Sequence, residues 1–307
     1  MSKRVVVLMG GFSAEREVSL HSGYAASAAL EKAGYAVVSM DVRRDLRTLV
    51  AGLIECKPDV VFNALHGRFG EDGSIQGILD IMKIPYTHSG VLASALAMDK
   101  PAARRIFETV GIPVAKGRVV RKEEVFAGDV LPRPYVLKPL NEGSSVGVHI
   151  ITEDSPAKPL SEADWPYGDL VLAEEFVPGR ELTVAVMGDR ALGVTEITSD
   201  RGFYDYTAKY APGGSRHLVP APIPSDVYAE AQRLAVLAHQ SLGCRGVSRA
   251  DLRYDNTGDQ QGRLVMLEVN TQPGLTATSL VPEQAAHAGI DFPQLVTWMV
   301  ENAKCDG

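Results

Sequence analysis

The first hundred residues alternate short apolar runs of strand type with longer runs of helix type. The predicted strands cover residues 4–9, 36–40 and 60–64, and the predicted helices cover 19–33 and 75–82. Strands that alternate with helices are typical of βαβ units, in which helices cover a parallel sheet. The alternation therefore predicts an α/β fold whose N-terminal layer contains a parallel sheet.

The pattern changes after a helix that is predicted over residues 98–110. Segments rich in proline and glycine then separate shorter strands, which favours antiparallel units. These strands are predicted at 117–120, 135–139, 146–151, 171–177, 181–187, 191–198, 246–254 and 263–269. Two further helices are predicted, at 225–242 and 293–303. We therefore expect three α/β units, at residues 1–98, 99–178 and 179–307.

Composition excludes several classes of protein. The 307 residues are 45% hydrophobic and 22% charged, so the chain can bury a core and is not disordered. The three cysteines are odd in number and far apart, which disfavours a disulfide scaffold and a cysteine zinc site. No stretch reaches the roughly 18 apolar residues of a membrane span. With a net charge of −7 and no basic tail, we expect a cytoplasmic protein without nucleic-acid or membrane partners.

Two glycine-rich loops follow predicted strands of the N-terminal unit. The loop that starts at Gly10-Gly11 precedes Glu15 and a helix, where it either presents backbone N–H groups to a ligand or forms only a capped turn. The second loop, HGRFGEDGSIQG at 66–77, crowds charged residues among glycines at the carboxyl end of a strand. Open α/β sheets bind ligands at this edge, so a binding site is favoured there. The G-x-G-x-x-G spacing is absent, which disfavours a nicotinamide oxidoreductase.

The central unit has a lysine that is suited to a phosphate. Lys138 ends a predicted strand and precedes the Gly/Ser-rich segment at 142–147. Such a lysine can bind a phosphate beside backbone N–H groups, although a surface lysine before a flexible hairpin has the same pattern. The acidic segment around Glu174 and Glu181 either faces a nucleotide or forms an ordinary edge strand.

The last unit places oxygen-bearing side chains on two consecutive strands. Arg249 and Asp251 are two residues apart, as are Glu268 and Asn270, so each pair shares one face of its strand. Two carboxylates and an amide oxygen are ligands that suit Mg²⁺. The alternative is a salt-bridge lattice in which Arg249 neutralises both acids.

Together these motifs resemble the D-alanine–D-alanine ligase family of ATP-grasp enzymes. The resemblance spans nearly the whole chain and rests on HGRFGEDGSIQG, on EGSSVGV after Lys138, on FYDYTAKY in the long loop at 200–222, and on R-x-D followed by EVNTQPG. It implies an ATP-grasp fold, in which two ATP-grasp domains clasp ATP. It also implies ATP-dependent ligation of two D-alanine molecules through a D-alanyl phosphate, for peptidoglycan precursor synthesis.

The resemblance implies roles for individual residues that bind the two amino acids. Glu15 would receive the amino group of the first D-alanine, with Val18 and His66 beside it. Ser144 and Tyr210 would join Glu15 in a hydrogen-bonded latch of the lid. Arg249 and the backbone of Gly274 would stabilise the oxyanion. The pocket for the second D-alanine would be formed by Ser279 and Leu280.

The same resemblance implies the nucleotide and metal residues. The long loop at 200–222, which we call the lid loop, would cover the site. The residues that bind ATP would be Lys100, Lys138, Glu174, Glu175, Val177, Glu181 and, from the lid loop, Lys209. The ligands of two Mg²⁺ ions, which Mn²⁺ can replace, would be Asp251, Glu268 and Asn270. The family also implies a homodimer.

Two positions depart from the family pattern. Arg253 stands where the family usually has an apolar residue, and the hairpin at 255–263 is a few residues long for the family. Three alternatives stay open: a D-alanine–D-lactate ligase, another ATP-grasp carboxylate–amine ligase, and a module that binds ATP and Mg²⁺ without turnover. Tyr210 argues against the first, and the full set of lysines and metal ligands argues against the last.

Overall fold

The computed structural model describes residues 2–144, 146–158, 160–198, 214, 216–257, 262–276 and 278–306. Its strands are β1 (Arg4–Gly10), β2 (Ala36–Val42), β3 (Val60–Asn63), β4 (Gly117–Arg121), β5 (Tyr135–Lys138), β6 (His149–Ile151), β7 (Leu170–Glu175), β8 (Arg180–Met187), β9 (Arg190–Thr198), β10 (Arg216–Leu218), β11 (Val247–Asp255) and β12 (Arg263–Asn270). Its helices are α1 (Arg16–Lys32), α2 (Leu46–Cys56), α3 (Ser74–Ile81), α4 (Val91–Met98), α5 (Lys100–Thr109), α6 (Lys122–Ala127), α7 (Ser225–Ser241), α8 (Leu280–His287) and α9 (Phe292–Glu301). A 3₁₀ turn covers Glu162–Asp164.

The N-terminal sheet is parallel, as predicted, with the strand order β2-β1-β3. β1 is the middle strand, and its residues from Val5 to Gly10 are buried on both faces. A central parallel strand is covered on both faces, which explains its unbroken apolar run. The carboxyl ends of β1 and β3 lead into the two glycine-rich loops, which therefore meet at one edge of the sheet.

The other two sheets are antiparallel. The central sheet has the order β4-β7-β5-β6, and the C-terminal sheet has the order β10-β9-β8-β11-β12. Residues 176–179, which we call the hinge, connect β7 of the central sheet directly to β8 of the C-terminal sheet. The short connection brings one end of each sheet to a common cleft. The three-unit division at 1–98, 99–178 and 179–307 stays a prediction.

Several elements differ from the sequence predictions. The helix predicted at 98–110 corresponds to α5, which begins only at Lys100 because Asp99 caps it by accepting a hydrogen bond from the backbone N–H of Ala102. Helices α2, α4, α6 and α8 and strand β10 were not predicted, and the strand predicted at 146–151 is limited to His149–Ile151. Asp45, which caps α2, is the sequence signal that could have indicated that helix.

The last helix packs against the first sheet. Leu295 and Met299 of α9 are buried in the same apolar cluster as Val5 and Val7 of β1. At the end of β3, the side-chain amide of Asn63 donates a hydrogen bond to Gln272 Oε1, just after β12, at 3.3 Å. These contacts fix the N-terminal glycine-rich loops against the segment that follows β12. In the described residues, every helix is too short or too polar to cross a bilayer.

Candidate active site

The predicted site residues line two adjoining cavities. The first, the hinge cleft, lies between the two antiparallel sheets and is lined by Lys138, Glu174, Glu175, Val177, Glu181 and Asp251, among others. The second, the loop pocket, is lined by Glu15, Val18, His66, Ser144, Arg249, Asn270 and Gly274, among others. Lys100, Glu142 and Glu268 line both cavities. Lys209 and Tyr210 lie outside the described residues.

The register of three neighbouring strands brings the predicted metal ligands together. Asp251 of β11 lies directly opposite Glu268 of β12, and Arg249 lies opposite Asn270. On the other side, Asp251 lies opposite Thr183 of β8, whose hydroxyl donates to Asp251 Oδ1 at 2.6 Å. Opposed residues of an antiparallel ladder point to the same face, so the set converges as expected. Thr183 was missed, although the spacing of two from Glu181 was the signal that could have found it.

Each carboxylate on this face of the sheet is paired with a cation. The guanidinium of Arg249 makes two hydrogen bonds to Asp251, at 2.8 and 2.7 Å, and Lys100 Nζ lies 3.3 Å from Glu268 Oε2. The Arg249–Asp251 pair is part of the salt-bridge alternative, so pairing and metal ligation compete for one carboxylate. The donor set of two carboxylates and an amide fits Mg²⁺ in its chemistry. Within the described part of the chain, no group of three or more His, Cys, Asp or Glu side chains could hold a metal ion, and the present set has only two carboxylates beside the amide.

Glu174 lies between the buried cation of Arg104 and the partly buried cation of Lys138. Lys138 Nζ is 2.6 Å from Glu174 Oε2, and Arg104 pairs with the other carboxylate oxygen. Burial acts to raise the pKa of Glu174, but the two cations outweigh it and the net pKa is lowered. Arg104 also donates to the backbone oxygen of Ala115 at 2.6 Å. The side chain of Glu174 therefore holds Lys138 in place. The ion pair between Arg104 and Glu174 was not predicted from the sequence.

The loop pocket is formed where both glycine-rich loops meet the central unit. The hydroxyl of Ser13 donates to the backbone oxygen of His66 at 2.7 Å, which ties one loop to the other. Gly67 has a φ of +70°, and a Cβ there would lie 2.8 Å from Ser13 Cβ and 3.2 Å from a carboxylate oxygen of Glu15. A glycine is therefore required at this position. The hydroxyl of Ser144 donates to Glu15, which joins the pocket to the central unit.

Two titratable groups of the loop pocket are fully buried. Burial lowers the pKa of His66, against the opposing effect of Glu15. Burial, reinforced by Glu15, raises the pKa of Glu71 well above its usual value. Both shifts favour the neutral form. Glu71 was not among the predicted site residues, although it lies inside the motif HGRFGEDGSIQG.

Ser279 and Leu280 are the predicted site residues of the described chain that are not part of the lining of either cavity. They lie at the start of α8, and Leu280 is buried. Ser279 Oγ accepts a hydrogen bond from the backbone N–H of Thr276 at 2.9 Å. A Cβ on Gly274 would lie 3.0 Å from the same oxygen, so Ser279 lies directly behind the pocket wall.

Two antiparallel sheets that meet at a cleft of lysines and carboxylates, beside a parallel sheet with glycine-rich loops, define an enzyme of the ATP-grasp class. Two family models match the chain, one in its N-terminal part and one in its C-terminal part. The model described as D-ala D-ala ligase C-terminus matches residues 106–301, and the one described as D-ala D-ala ligase N-terminus matches residues 49–89. The chain belongs to the D-alanine–D-alanine ligase family.

Relatives and solved structures support this membership. The D-alanine–D-alanine ligase of Rhodospirillum rubrum is 66% identical over 306 residues, and that of Paramagnetospirillum magneticum is 68% identical over 308 residues. Each alignment covers 100% of both chains. Two crystal structures of the Bacillus anthracis D-alanine–D-alanine ligase, one of them complexed with ATP, are 29% identical and have TM-scores of 0.83 and 0.81. Both cover 98% of this chain and 97% of their own.

Proposed function

We propose that this protein ligates two D-alanine molecules to D-alanyl-D-alanine, with ATP as co-substrate, for peptidoglycan precursor synthesis. The observation that carries the proposal is that the hinge cleft and the loop pocket share Lys100 and Glu268. A nucleotide in the first cavity and an amino acid in the second would meet at these two side chains. The family relationship names the amino acid as D-alanine.

In the first step, the carboxylate of one D-alanine attacks the γ-phosphorus of ATP. This forms D-alanyl phosphate and releases ADP. Glu15 would hold the ammonium group of this D-alanine, with Val18 and His66 beside it. Lys100, Lys138 and, from the lid loop, Lys209 would balance the charge of the phosphate groups. Glu174, Glu175, Val177 and Glu181 would bind the adenosine part.

In the second step, the amine of another D-alanine attacks the carbonyl carbon of D-alanyl phosphate, and inorganic phosphate leaves. The tetrahedral intermediate carries an oxyanion, which Arg249 and the backbone N–H of Gly274 would stabilise. Ser279 and Leu280 would form the pocket for this second D-alanine. A substrate carboxylate is the nucleophile of the first step, so the chemistry needs no serine or cysteine nucleophile.

Asp251, Glu268 and Asn270 would hold two Mg²⁺ ions, which Mn²⁺ can replace. When bound, the ions neutralise charge on the transferring phosphoryl group. The support for this assignment is the opposed register of Asp251 and Glu268 and their shared face with Asn270. Lys100 pairs with Glu268, and Arg249 pairs with Asp251.

The remaining expectations concern assembly and location. We propose a homodimer in the cytoplasm, without nucleic-acid or membrane partners, on the basis of the family and the net charge of −7. Light scattering coupled to gel filtration tests the dimer. A mass of one chain, 33.0 kDa, would contradict it.

ADP release with different amino acids tests the proposed function. We expect release with D-alanine and Mg²⁺, and none above background with L-alanine or in excess chelator. Equal turnover with L-alanine would contradict the proposal. ATP binding without D-alanine-dependent ADP release would instead favour a binding module, and a depsipeptide formed from D-lactate in preference to D-alanyl-D-alanine would favour the lactate ligase.

A further inference from the structure

Arg253, which departs from the family pattern, lies at the nucleotide side of the site. It is on β11, two residues beyond Asp251, and its partner in the antiparallel ladder with β8 is Glu181. Opposed residues share a face of the sheet, so the two side chains project together. Both line the hinge cleft. Arg253 therefore forms part of the wall of the cleft and does not belong to a distant turn.

The guanidinium of Arg253 has three partners around the hinge. Its Nε donates to the backbone oxygen of Val177 at 3.1 Å, and its Nη2 donates to the backbone oxygen of Gly179 at 2.8 Å. Its Nη1 lies 3.5 Å from Glu181 Oε2. A planar guanidinium presents its donors in a fixed fork, so these contacts define the position of the hinge relative to Glu181. The side chain also lies over the ring of Phe176, 6.0 Å from its centroid.

The hinge has little room to move independently of β11. Gly179 has a φ of +92°, and a Cβ there would lie 2.1 Å from the backbone oxygen of Tyr254. Arg253 itself is largely buried, with 13% of its side chain exposed, and burial lowers the pKa of its guanidinium while Glu181 opposes that shift. A buried cation is costly unless its donors are satisfied, so this arrangement depends on the hinge carbonyls and on Glu181 together.

We propose that Arg253 is a positioning residue for nucleotide selection, which holds Glu181 and the hinge so that the Glu181 carboxylate accepts hydrogen bonds from the ribose hydroxyls. The inference rests on the proposed contact between Glu181 and the ribose. A carboxylate has about four acceptor sites, so an ion pair with Arg253 leaves capacity for hydroxyl donors. Without Arg253, Glu181 would keep its charge but lose this guanidinium contact, and the hinge would lose two hydrogen bonds.

The test compares ATP with 2′,3′-dideoxyATP, which lacks both ribose hydroxyls and keeps the reacting γ-phosphate. For wild type we expect kcat/KM for ATP to exceed that for the dideoxy nucleotide by roughly ten-fold or more, as expected for a hydrogen bond to a charged group. Glu181→Gln and Arg253→Met should each lose most of this preference. In Arg253→Met the loss should come from a higher KM for ATP, with kcat changed less than about two-fold.

Arg180→Met is the matched control. Arg180 precedes Glu181 in β8, pairs with Glu196 at 2.6 Å and donates to the backbone oxygen of Pro222 at 3.0 Å. It is thus another arginine that joins a carboxylate and a carbonyl, but it does not line the hinge cleft. We expect Arg180→Met to lower the melting temperature and to keep the wild-type preference for ATP. If Arg253→Met fails to fold, Arg253→Lys replaces it in the test. Lysine keeps the positive charge but lacks the planar set of donors, so this variant should lose part of the preference for ATP over the dideoxy nucleotide.

Two results would overturn the inference. If Arg253→Met and Arg253→Lys keep the wild-type preference while Glu181→Gln loses it, Glu181 contacts the ribose without help from Arg253. If Glu181→Gln also keeps the preference, the ribose contact itself is wrong and the inference fails with it. D-alanine-dependent ADP release by these variants would show that the ligase function stands in either case.

Discussion

Buried titratable groups in the hinge cleft are paired as ions, whereas two buried groups of the loop pocket favour their neutral forms. In the hinge cleft, Glu174 and Asp251 are each held by cations at hydrogen-bond distance. In the loop pocket, burial shifts the pKa values of His66 and Glu71 towards the neutral form. Charged residues such as Glu15 and Arg249 also line the loop pocket, so the contrast is between the paired carboxylates of the hinge cleft and the two buried groups His66 and Glu71.

The difference corresponds to the substrates that the two cavities are proposed to bind. ATP brings several negative charges, and phosphoryl transfer proceeds by charge balance, so cations that can be shared between protein carboxylates and phosphates are useful. An amino acid is a zwitterion with one charge of each sign, and neutral forms of His66 and Glu71 add no charge that would repel either end. The four variants below test this contrast, from the largest expected effect to the smallest.

Glu268→Gln should have the largest effect, because it removes the charge of a proposed Mg²⁺ ligand where the two cavities join. We expect turnover to fall by about 100-fold or more at saturating Mg²⁺, since a metal ion contributes several kcal/mol to the transition state. Glu196→Gln is the matched control, because it breaks a buried ion pair with Arg180 away from the site. Steady-state ADP release and thermal melts of both variants distinguish the cases. A destabilised but active Glu268→Gln would favour the salt-bridge alternative.

Glu174→Gln should mainly affect stability and ATP binding. It leaves Lys138 and Arg104 buried without their carboxylate, a change that costs about 3–5 kcal/mol in comparable ion pairs. The lowered pKa of Glu174 means that its contribution is complete above its ordinary pKa of about 4.5 and is lost as pH falls through the lowered value. The difference in stability between wild type and variant should therefore shrink on acidification below about pH 4.5. Urea unfolding across pH measures it, and a pH-independent difference would contradict the account.

Glu71→Gln should behave in the opposite way. The raised pKa of Glu71 means that its protonated form stabilises the fold at low pH, and this contribution is lost as pH rises through the raised value. Glutamine cannot ionise. We therefore expect the melting temperature of the variant to rise relative to that of wild type as pH increases from about 4.5 to about 8. If the melting temperature of the variant minus that of wild type stays constant or falls with rising pH, Glu71 is ionised and paired in the folded protein.

Tyr210→Phe should have the smallest effect on overall turnover and a visible effect on the acceptor. The structure has the Ser144–Glu15 hydrogen bond of the expected latch, while Tyr210 lies outside the described residues. Losing one hydrogen bond costs on the order of 1 kcal/mol. D-lactate needs no deprotonation of an ammonium group before attack, so the variant should gain D-lactate ligation, most at low pH. A competition assay with both acceptors between about pH 6 and 9 measures the ratio. An unchanged ratio would place acceptor choice at Ser279 and Leu280.

Sequence patterns predicted the elements that have strong periodicity or a two-residue spacing. β1 and β3, with the loops that follow them, were predicted because a buried parallel strand is an unbroken apolar run. The shared face of Asp251, Glu268 and Asn270 followed from the alternation of side chains in strands. Fold class and family were likewise predicted from the motifs and are confirmed by the comparisons.

Other contacts could not be predicted because they join residues that are distant in sequence. Arg104 and Glu174 are 70 residues apart, and no local pattern marks them as partners. The sequence showed Arg253 only as a departure from the family pattern. Its position opposite Glu181 became visible only in the register of β8 and β11. The individual roles proposed for the site residues stay predictions until variants are measured.

Transfer of ¹⁸O from D-alanine to phosphate tests the central claim most directly, that a substrate carboxylate attacks the γ-phosphorus where the two cavities join. The protein is incubated with ATP, Mg²⁺ and D-alanine labelled with ¹⁸O at both carboxylate oxygens, and the inorganic phosphate and dipeptide are analysed by mass spectrometry. The account predicts one ¹⁸O in each phosphate released and one ¹⁸O in the new amide carbonyl of D-alanyl-D-alanine. Phosphate without ¹⁸O would contradict it, because the carboxylate oxygen would then never have been bonded to phosphorus.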